Sequence, residues 1–411
     1  MELLHNAVRS YAWGSRTAIA ELLGKEVPAP HPQAELWMGA HPGDPSRVVG
    51  PDGRERSLLD VLVADPAGQL GAAAVQRWGN RLPFLLKVLA AEEALSLQAH
   101  PSAQQAAEGF AAEEAAGVPL DARTRNYKDA SPKPELLCAL TEFHALAGFR
   151  DPRRTVALLQ SLEAPDFAPY TGLLAAQPDS AGLRALFTTL ITLPQQALDA
   201  LLPQVLDACV LHVKDHGEFD LECRTVLELG EAYPGDAGVL AALLLNRLVL
   251  QPGEAIYLPA GNLHAYLRGT GVEILANSDN VLRCGLTPKH VDVPELMRVL
   301  DFSSGDMPVL RGEEVAPGLA VYPTDAREFE LSRIDLAPGA EVRVEHDGPQ
   351  ILLCTHGEVR LTGELGDRLD LGRGGSVWLA ATDPAVVVTA AGDTPAQLFR
   401  ATAGTGGPVS A

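Results

Sequence analysis

A chain of 411 residues is longer than one compact core accommodates, so two or three domains are expected. Its 46% hydrophobic and 21% charged content is that of a folded globular protein and argues against disorder. The formal charge of −21 argues against a nucleic-acid partner, and no apolar run approaches the length of a membrane helix.

The first residues, Met1-Glu2-Leu3-Leu4-His5, lack a basic region followed by an apolar core, so a cytoplasmic protein is expected. Five cysteines (Cys138, Cys209, Cys223, Cys284 and Cys354) are scattered and odd in number, with no Cys-x-x-Cys pair. That argues against a disulfide framework and a thiolate zinc site, and fits a reducing compartment. A small anionic substrate is compatible with the charge if Lys and Arg are gathered locally in its site.

Residues 10–15, Ser-Tyr-Ala-Trp-Gly-Ser, mix aromatic and turn residues and are expected to open a strand pair. Residues 34–42, Ala-Glu-Leu-Trp-Met-Gly-Ala-His-Pro, read as a strand ending at Gly and Pro, with Trp37 as core and His41 as structural. Residues 82–89 form an almost unbroken apolar run and read as a buried strand. In Ser96-Leu97-Gln98-Ala99-His100-Pro101, the side chains Ser96, Gln98 and His100 share one strand face. A Gln and a His two residues apart can hold one metal ion between them; a strand with one solvated face gives the same pattern. Ser102 and Gln105 have capping-box spacing, so a helix is expected over 103–116, ended by Gly117.

Residues 123–137 gather Arg123, Arg125, Lys128 and Lys133 in a strongly acidic chain. Lys133 and Glu135 alternate with Pro134 and face one side of an extended backbone; a solvated loop is the plainer reading. Asp151-Pro152 opens a helix, and apolar residues then recur at helical spacing to about residue 210, interrupted by Pro165, Pro169, Pro194 and Pro203. Strand character returns near residue 246. The stretch 251–266 holds a Pro-Gly turn, a short apolar strand, a Pro-Ala-Gly-Asn turn and then His264 opening a new strand, with Tyr266 on its face. Double-sheet jelly rolls of the cupin type use this spacing. Residues 273–289 carry Glu273, Asp279, Arg283 and Lys289 at close intervals, so some of these charges must be paired.

The last hundred residues read as a degenerate copy. Residues 373–385 lie on residues 252–264, with Trp378 at the Tyr257 position and Ala385 at the His264 position. The Gly-rich tail from Gly404 is expected to be disordered. The fold class is therefore mainly β with an α-helical insertion, in a double cupin (jelly-roll β-sandwich) architecture. The expected division is a catalytic core over 1–149 and 225–302, a helical insertion over 150–224 and a C-terminal degenerate cupin over 303–411.

Gln98, His100, Glu135 and His264 together offer two imidazoles, one carboxylate and one amide oxygen. Zinc accepts such a set and keeps an open position, and one carboxylate leaves the ion with net positive charge. The motifs Tyr-Ala-Trp-Gly-Ser, Glu-Leu-Trp-Met-Gly-Ala-His-Pro, Ser-Leu-Gln-Ala-His-Pro, Lys-Pro-Glu-Leu, Leu-Pro-Ala-Gly-Asn-Leu-His-Ala-Tyr and Ser-Asp-Asn-Val-Leu-Arg run in order over three quarters of the chain. In these the sequence resembles type I mannose-6-phosphate isomerases (phosphomannose isomerases), zinc enzymes of the cupin class.

The resemblance implies one zinc ion per chain, held by Gln98, His100, Glu135 and His264, with Arg283 in the active site. It further implies that Ser96, Lys133, Tyr266, Glu273, Asp279 and Lys289 line the pocket. Glu273 is the first candidate for proton transfer and Lys133 the next; Ser96, Tyr266, Asp279 and Lys289 are candidates for binding substrate. The partner implied is a small sugar phosphate, with no nucleic acid and no membrane, acting on a monomer. Two departures stand out: Ser131-Pro132 where the family often has Asn-His, and Cys284 where it usually has Gly. A side chain at 284 is expected to narrow the pocket or confer sensitivity to thiol reagents. A cupin enzyme acting on another sugar phosphate, an iron oxygenase and a non-catalytic sugar-binding protein are the alternatives.

Overall fold

The Phe84–Ala91 strand shows why its sequence is nearly all apolar: every one of its residues is buried. Phe84, Leu86, Val88 and Ala90 pack on one side against Ile351, Trp378 and Phe399 of the C-terminal region. Leu89 and Ala91 face the other way, against Phe143 and Tyr266. Lys87 shares that second face, by strand alternation. The strand is flanked by Glu35–Met38 on one edge and His264–Ala276 on the other, both antiparallel. Residues 1–50, 53–345 and 348–404 are described by the structure, a computed structural model. Of the tail expected to be disordered, 405–411 lie outside the described residues.

The His264–Ala276 strand is the axis of an eleven-stranded sheet system. Its first part pairs with Leu97–Ala99 and Phe143–Phe149, and its second with Phe84–Ala91 and Glu135–Ala139. The change of partners coincides with a register shift between Tyr266 and Arg268, followed by Gly269 at φ +125°. A Cβ on Gly269 would lie 2.7 Å from the Glu142 carbonyl oxygen, so the bend tolerates only glycine. The bend lets one strand contribute His264 and Tyr266 in one sheet and Glu273 in the other.

Helices fill the outer face. Asp151 caps the Pro152–Ser161 helix, accepting from the backbone N–H groups of Arg153 and Arg154. Further helices run through Gly238–Ala242, past the expected boundary at 224, before the Leu245–Leu250 strand. Their apolar faces bury Leu97, Leu146, Ala265 and Leu282 from behind. The Ser102 capping box is present and starts the Ala103–Ala115 helix.

A second β-sandwich stands at the C-terminal end. A nine-stranded sheet includes Glu330–Leu336, Ala396–Thr402, Gln350–His356 and Ser376–Leu379, and a four-stranded sheet includes Glu358–Gly363 and Val386–Ala390. Ile334, Leu352, Val359, Val377 and Val388 form the core between them. Three early strands, Glu2–His5, Arg47–Val49 and Glu55–Ser57, complete the larger sheet, so the start of the chain is built into the C-terminal sandwich. Trp378 is fully buried there, its Nε1–H donating to Gln69 Oε1 at 2.8 Å. Residues 10–15 do not open a strand pair as expected. They form a tight turn closed by Gly14 N–H to Tyr11 O, then isolated bridges from Gly14 and Ser15. Gly14 lies so close to the Ala34 backbone that a Cβ would sit 2.6 Å from it, and no regular ladder fits. No helix among the described residues is long and apolar enough to cross a membrane.

Because Gly269 carries both a positive φ and a backbone contact, Gly269→Ala is expected to destabilise the fold by about 2 kcal/mol. Chemical denaturation checks this; an unchanged midpoint would show that the bend tolerates a side chain.

Candidate metal centre

Four strands bring the site together, Leu97–Ala99, Glu135–Ala139, His264–Ala276 and Leu282–Gly285. Gln98 lies directly opposite His264 on one neighbouring strand and opposite Arg283 on the other. Cross-strand partners point to the same face, so these three side chains enter one space. Glu135 enters from the second sheet, where it pairs with Leu258 and Leu275. The strand holding Gln98 spans Leu97–Ala99, shorter than the expected 96–101, with half-buried Ser96 just before it and His100 just after.

The imidazole tautomers follow from backbone contacts. His100 Nδ1 lies 2.8 Å from the Asn280 carbonyl oxygen, and His264 Nδ1 lies 3.0 Å from the Asn262 carbonyl oxygen. A carbonyl only accepts, so each ring carries its proton on Nδ1 and presents an Nε2 lone pair inward. Those lone pairs meet a carboxylate: His100 Nε2 is 3.3 Å from Glu135 Oε1, and His264 Nε2 is 3.4 Å from Glu135 Oε2. The arrangement is buried, and His100 Nε2 and Glu135 Oε2 have no hydrogen-bond partner among the described residues. Burial holds the His100 imidazole at about 4, which keeps it neutral. Burial alone would raise Glu135, but the charge of Lys133, whose Nζ lies 3.1 Å from Oε1, holds it well below the usual carboxylate range. Lone pairs facing a carboxylate without a proton between them repel, and a cation removes the conflict. The ligand atoms of His100, Glu135 and His264 all lie within 4.8 Å of one another, the span of a metal site. Gln98 Nε2 sits 3.5 Å from His264 Nε2. Rotation of that amide by half a turn exchanges its nitrogen and oxygen and would offer Oε1 as a fourth ligand.

A charged row lines the interior beside this centre. Tyr266 Oη donates to Glu273 Oε1 at 2.9 Å, and Glu273 Oε2 lies 3.6 Å from Lys87 Nζ. Lys87 in turn donates to Glu35 Oε1 at 3.3 Å, whose second oxygen accepts from Trp37 Nε1 at 2.8 Å. Burial and the charge of Glu135 push Glu273 up to about 7. Burial opposes the Lys87 charge, but Glu35, Glu273 and Glu135 outweigh it and raise its pKa. At the mouth, Asp279 Oδ2 accepts from His41 Nε2 at 3.2 Å. Arg283 makes no side-chain hydrogen bond or ion pair among the described residues, and burial draws its pKa down. Lys289 is also lowered, by partial burial and by the charge of Arg283 beside it.

The model of the type I phosphomannose isomerase catalytic domain matches residues 1–152. The mannose-6-phosphate isomerase of Escherichia coli (strain K12) is 41% identical over 392 residues, covering 94% of this chain and 97% of its own length. This chain belongs to the type I phosphomannose isomerase family. Mannose-6-phosphate isomerase 2 of Arabidopsis thaliana is 33% identical, covering 96% of this chain and 91% of its own length. Among solved structures, a variant of phosphomannose isomerase from Salmonella typhimurium superposes with a TM-score of 0.89 at 37% identity, covering 98% of this chain and 99% of its own. A zinc-bound mannose 6-phosphate isomerase superposes at 0.88 with the same identity and coverage.

The two departures from the family pattern can now be located. Cys284 does not narrow the pocket. It alternates with Arg283, so its buried thiol packs with the helices behind the sheet, where burial and Asp236 push its pKa up. The loop around Ser131-Pro132 is held by Asn280 and Asp129. Asn280 Oδ1 accepts from Lys128 N–H at 2.7 Å and Asp129 N–H at 3.2 Å, while Nδ2 donates to the carbonyls of Asp129 at 2.8 Å and Ser131 at 2.9 Å. Sequence reasoning missed Asn280, Glu35, Lys87 and His41 as site residues. For Lys87 a signal existed: one Lys at the centre of an eight-residue buried strand requires a partner.

Asn280→Ala leaves two backbone N–H groups and two carbonyls without these partners. A loss of about 2–3 kcal/mol in unfolding free energy is expected, with weaker metal retention because the same residue's carbonyl orients His100. Denaturation and metal analysis check both; wild-type values in each would contradict the anchoring role.

Proposed function

We propose that this chain catalyses the interconversion of mannose 6-phosphate and fructose 6-phosphate with one zinc ion held by Gln98, His100, Glu135 and His264. One observation carries the metal assignment: the buried Nε2 atoms of His100 and His264 converge on the Glu135 carboxylate, with His100 Nε2 and Glu135 Oε2 left without a hydrogen-bond partner among the described residues. Zinc in such an open site supplies Lewis-acid stabilisation of negative charge on substrate oxygens.

The reaction moves a proton from carbon 2 to carbon 1 through an enediol, so one group must take the proton and return it. Glu273 fits that task. Burial raises its pKa toward neutrality, and Tyr266 and Lys87 fix both oxygens. Lys133, the other candidate, points its Nζ at Glu135 and serves in this reading to orient a ligand. Arg283 is a poor base and a good partner for an oxyanion or a phosphate. With Lys289 beside it, it forms a local positive site in a chain of net charge −21. Ser96, Tyr266 and Asp279 are assigned to substrate hydroxyl groups.

All of these residues come from 1–149 and 225–302, the segments read as the catalytic core. The helical segment and the C-terminal sandwich support them from outside, and one chain suffices, so the active unit is read as a monomer. Five free cysteines, all buried, support a cytoplasmic setting.

The test is direct conversion of mannose 6-phosphate to fructose 6-phosphate by the purified protein. Arg283→Ala is expected to keep its zinc and lose turnover by at least about 100-fold; a fully active variant would refute the role. A base must be ionised, so kcat/KM should fall as pH drops through the Glu273 pKa, which burial raises above the usual carboxylate range. The Lys87 charge lowers the Glu273 pKa, so Lys87→Gln should move this acid limb to higher pH. An unmoved limb would take Glu273 out of the proton-transfer role.

A further inference from the structure

We propose that His41 is a positioning residue: it fixes the Asp279 carboxylate at the mouth of the site so that its free oxygen receives a substrate hydroxyl. The inference rests on the reading of Asp279 as a substrate-binding group. It adds a residue whose sequence context, before a proline at a strand end, suggests nothing beyond structure.

The hydrogen-bond pattern sets the direction of the contact. Gly43 N–H donates to His41 Nδ1 at 3.0 Å, so the neutral ring carries its proton on Nε2. That Nε2–H points at Asp279 Oδ2, 3.2 Å away. The ring cannot swing, because it is buried and packs edge-on against Trp37 with centroids 4.9 Å apart. Trp37 is itself tied through Glu35 to Lys87, which reaches Glu273. His41 therefore stands on the same rigid row as the proposed proton carrier.

Asp279 needs such a partner. Its side chain is 57% exposed, and its other restraint is in the backbone, where its N–H donates to Asp129 Oδ2 at 3.0 Å. His41 takes Oδ2 and leaves Oδ1 without a hydrogen bond among the described residues. The next residue, Asn280, orients the ligand His100 through its carbonyl, so the Asp279 carboxylate is placed at a fixed offset from the metal centre. The hydrogen bond to His41 is the leading cause of the lowered Asp279 pKa, with smaller contributions from Lys133 and Lys87 deeper in the site.

Two substitutions separate the roles of the ring. In His41→Asn the side-chain oxygen occupies the Nδ1 position and still accepts from Gly43 N–H, but nothing reaches Asp279. In His41→Gln the amide nitrogen occupies the Nε2 position and still donates to Asp279. We expect kcat/KM to fall about tenfold in His41→Asn and to stay within about threefold of wild type in His41→Gln. Zinc content and melting temperature should be those of wild type in both. Asp279→Asn alone should lower kcat/KM at least about tenfold, and adding His41→Asn to it should cost no more than about twofold further. A neutral Asp279→Asn would overturn the reading of Asp279, and the role of His41 with it. An impaired Asp279→Asn on which His41→Asn still costs its full tenfold would overturn the role of His41 alone.

Discussion

The site depends on one electrostatic conflict. Two buried imidazoles are held by backbone carbonyls in the tautomer that aims lone pairs at a buried carboxylate. Desolvation keeps His100 neutral, while Lys133 keeps Glu135 ionised. Neither group can resolve the conflict by exchanging a proton, so the arrangement calls for a cation. The carbonyl partners of the two His residues are therefore as much a part of the metal site as the ligands themselves.

The second constraint is topological. One bent strand, His264–Ala276, supplies a proposed metal ligand at its start and the proposed proton carrier near its end, nine residues later by number. The bend at Gly269 sends these two residues into different sheets that face the same interior. In the neighbouring Phe84–Ala91 strand the register places Lys87 directly opposite Glu273 on one side and Trp37 on the other, and a one-residue slip would turn the single Lys onto the apolar opposite face. The C-terminal sandwich contributes to this indirectly, by covering the outer face of that strand with Ile351, Trp378 and Phe399.

Much of this was legible from residues alone. The capping box at Ser102, the Asp151-Pro152 helix start, the turn–strand–turn leading to His264 and the alternation of Lys133 with Glu135 all act locally, and the structure places them where local rules do. What escaped depends on long-range pairing. Lys87 was hidden in an apolar run because its partners, Glu35 and Glu273, are distant in sequence. Asn280 acts through four contacts to a loop about 150 residues earlier. The pairing of Glu2–His5 with Ser376–Leu379 joins the two ends of the described chain, and no local pattern announces it. Cys284 misled for a simpler reason: adjacency in sequence to Arg283 means opposite faces on a strand.

The central claim is that the convergent lone pairs exist to hold a metal needed for isomerisation. Conversion of mannose 6-phosphate by purified protein, measured before chelation, after chelation and after zinc is restored, tests it most directly. The account predicts that activity disappears with the chelator and returns with about one zinc per chain. Activity that is indifferent to chelation, with metal analysis showing the zinc removed, would contradict it.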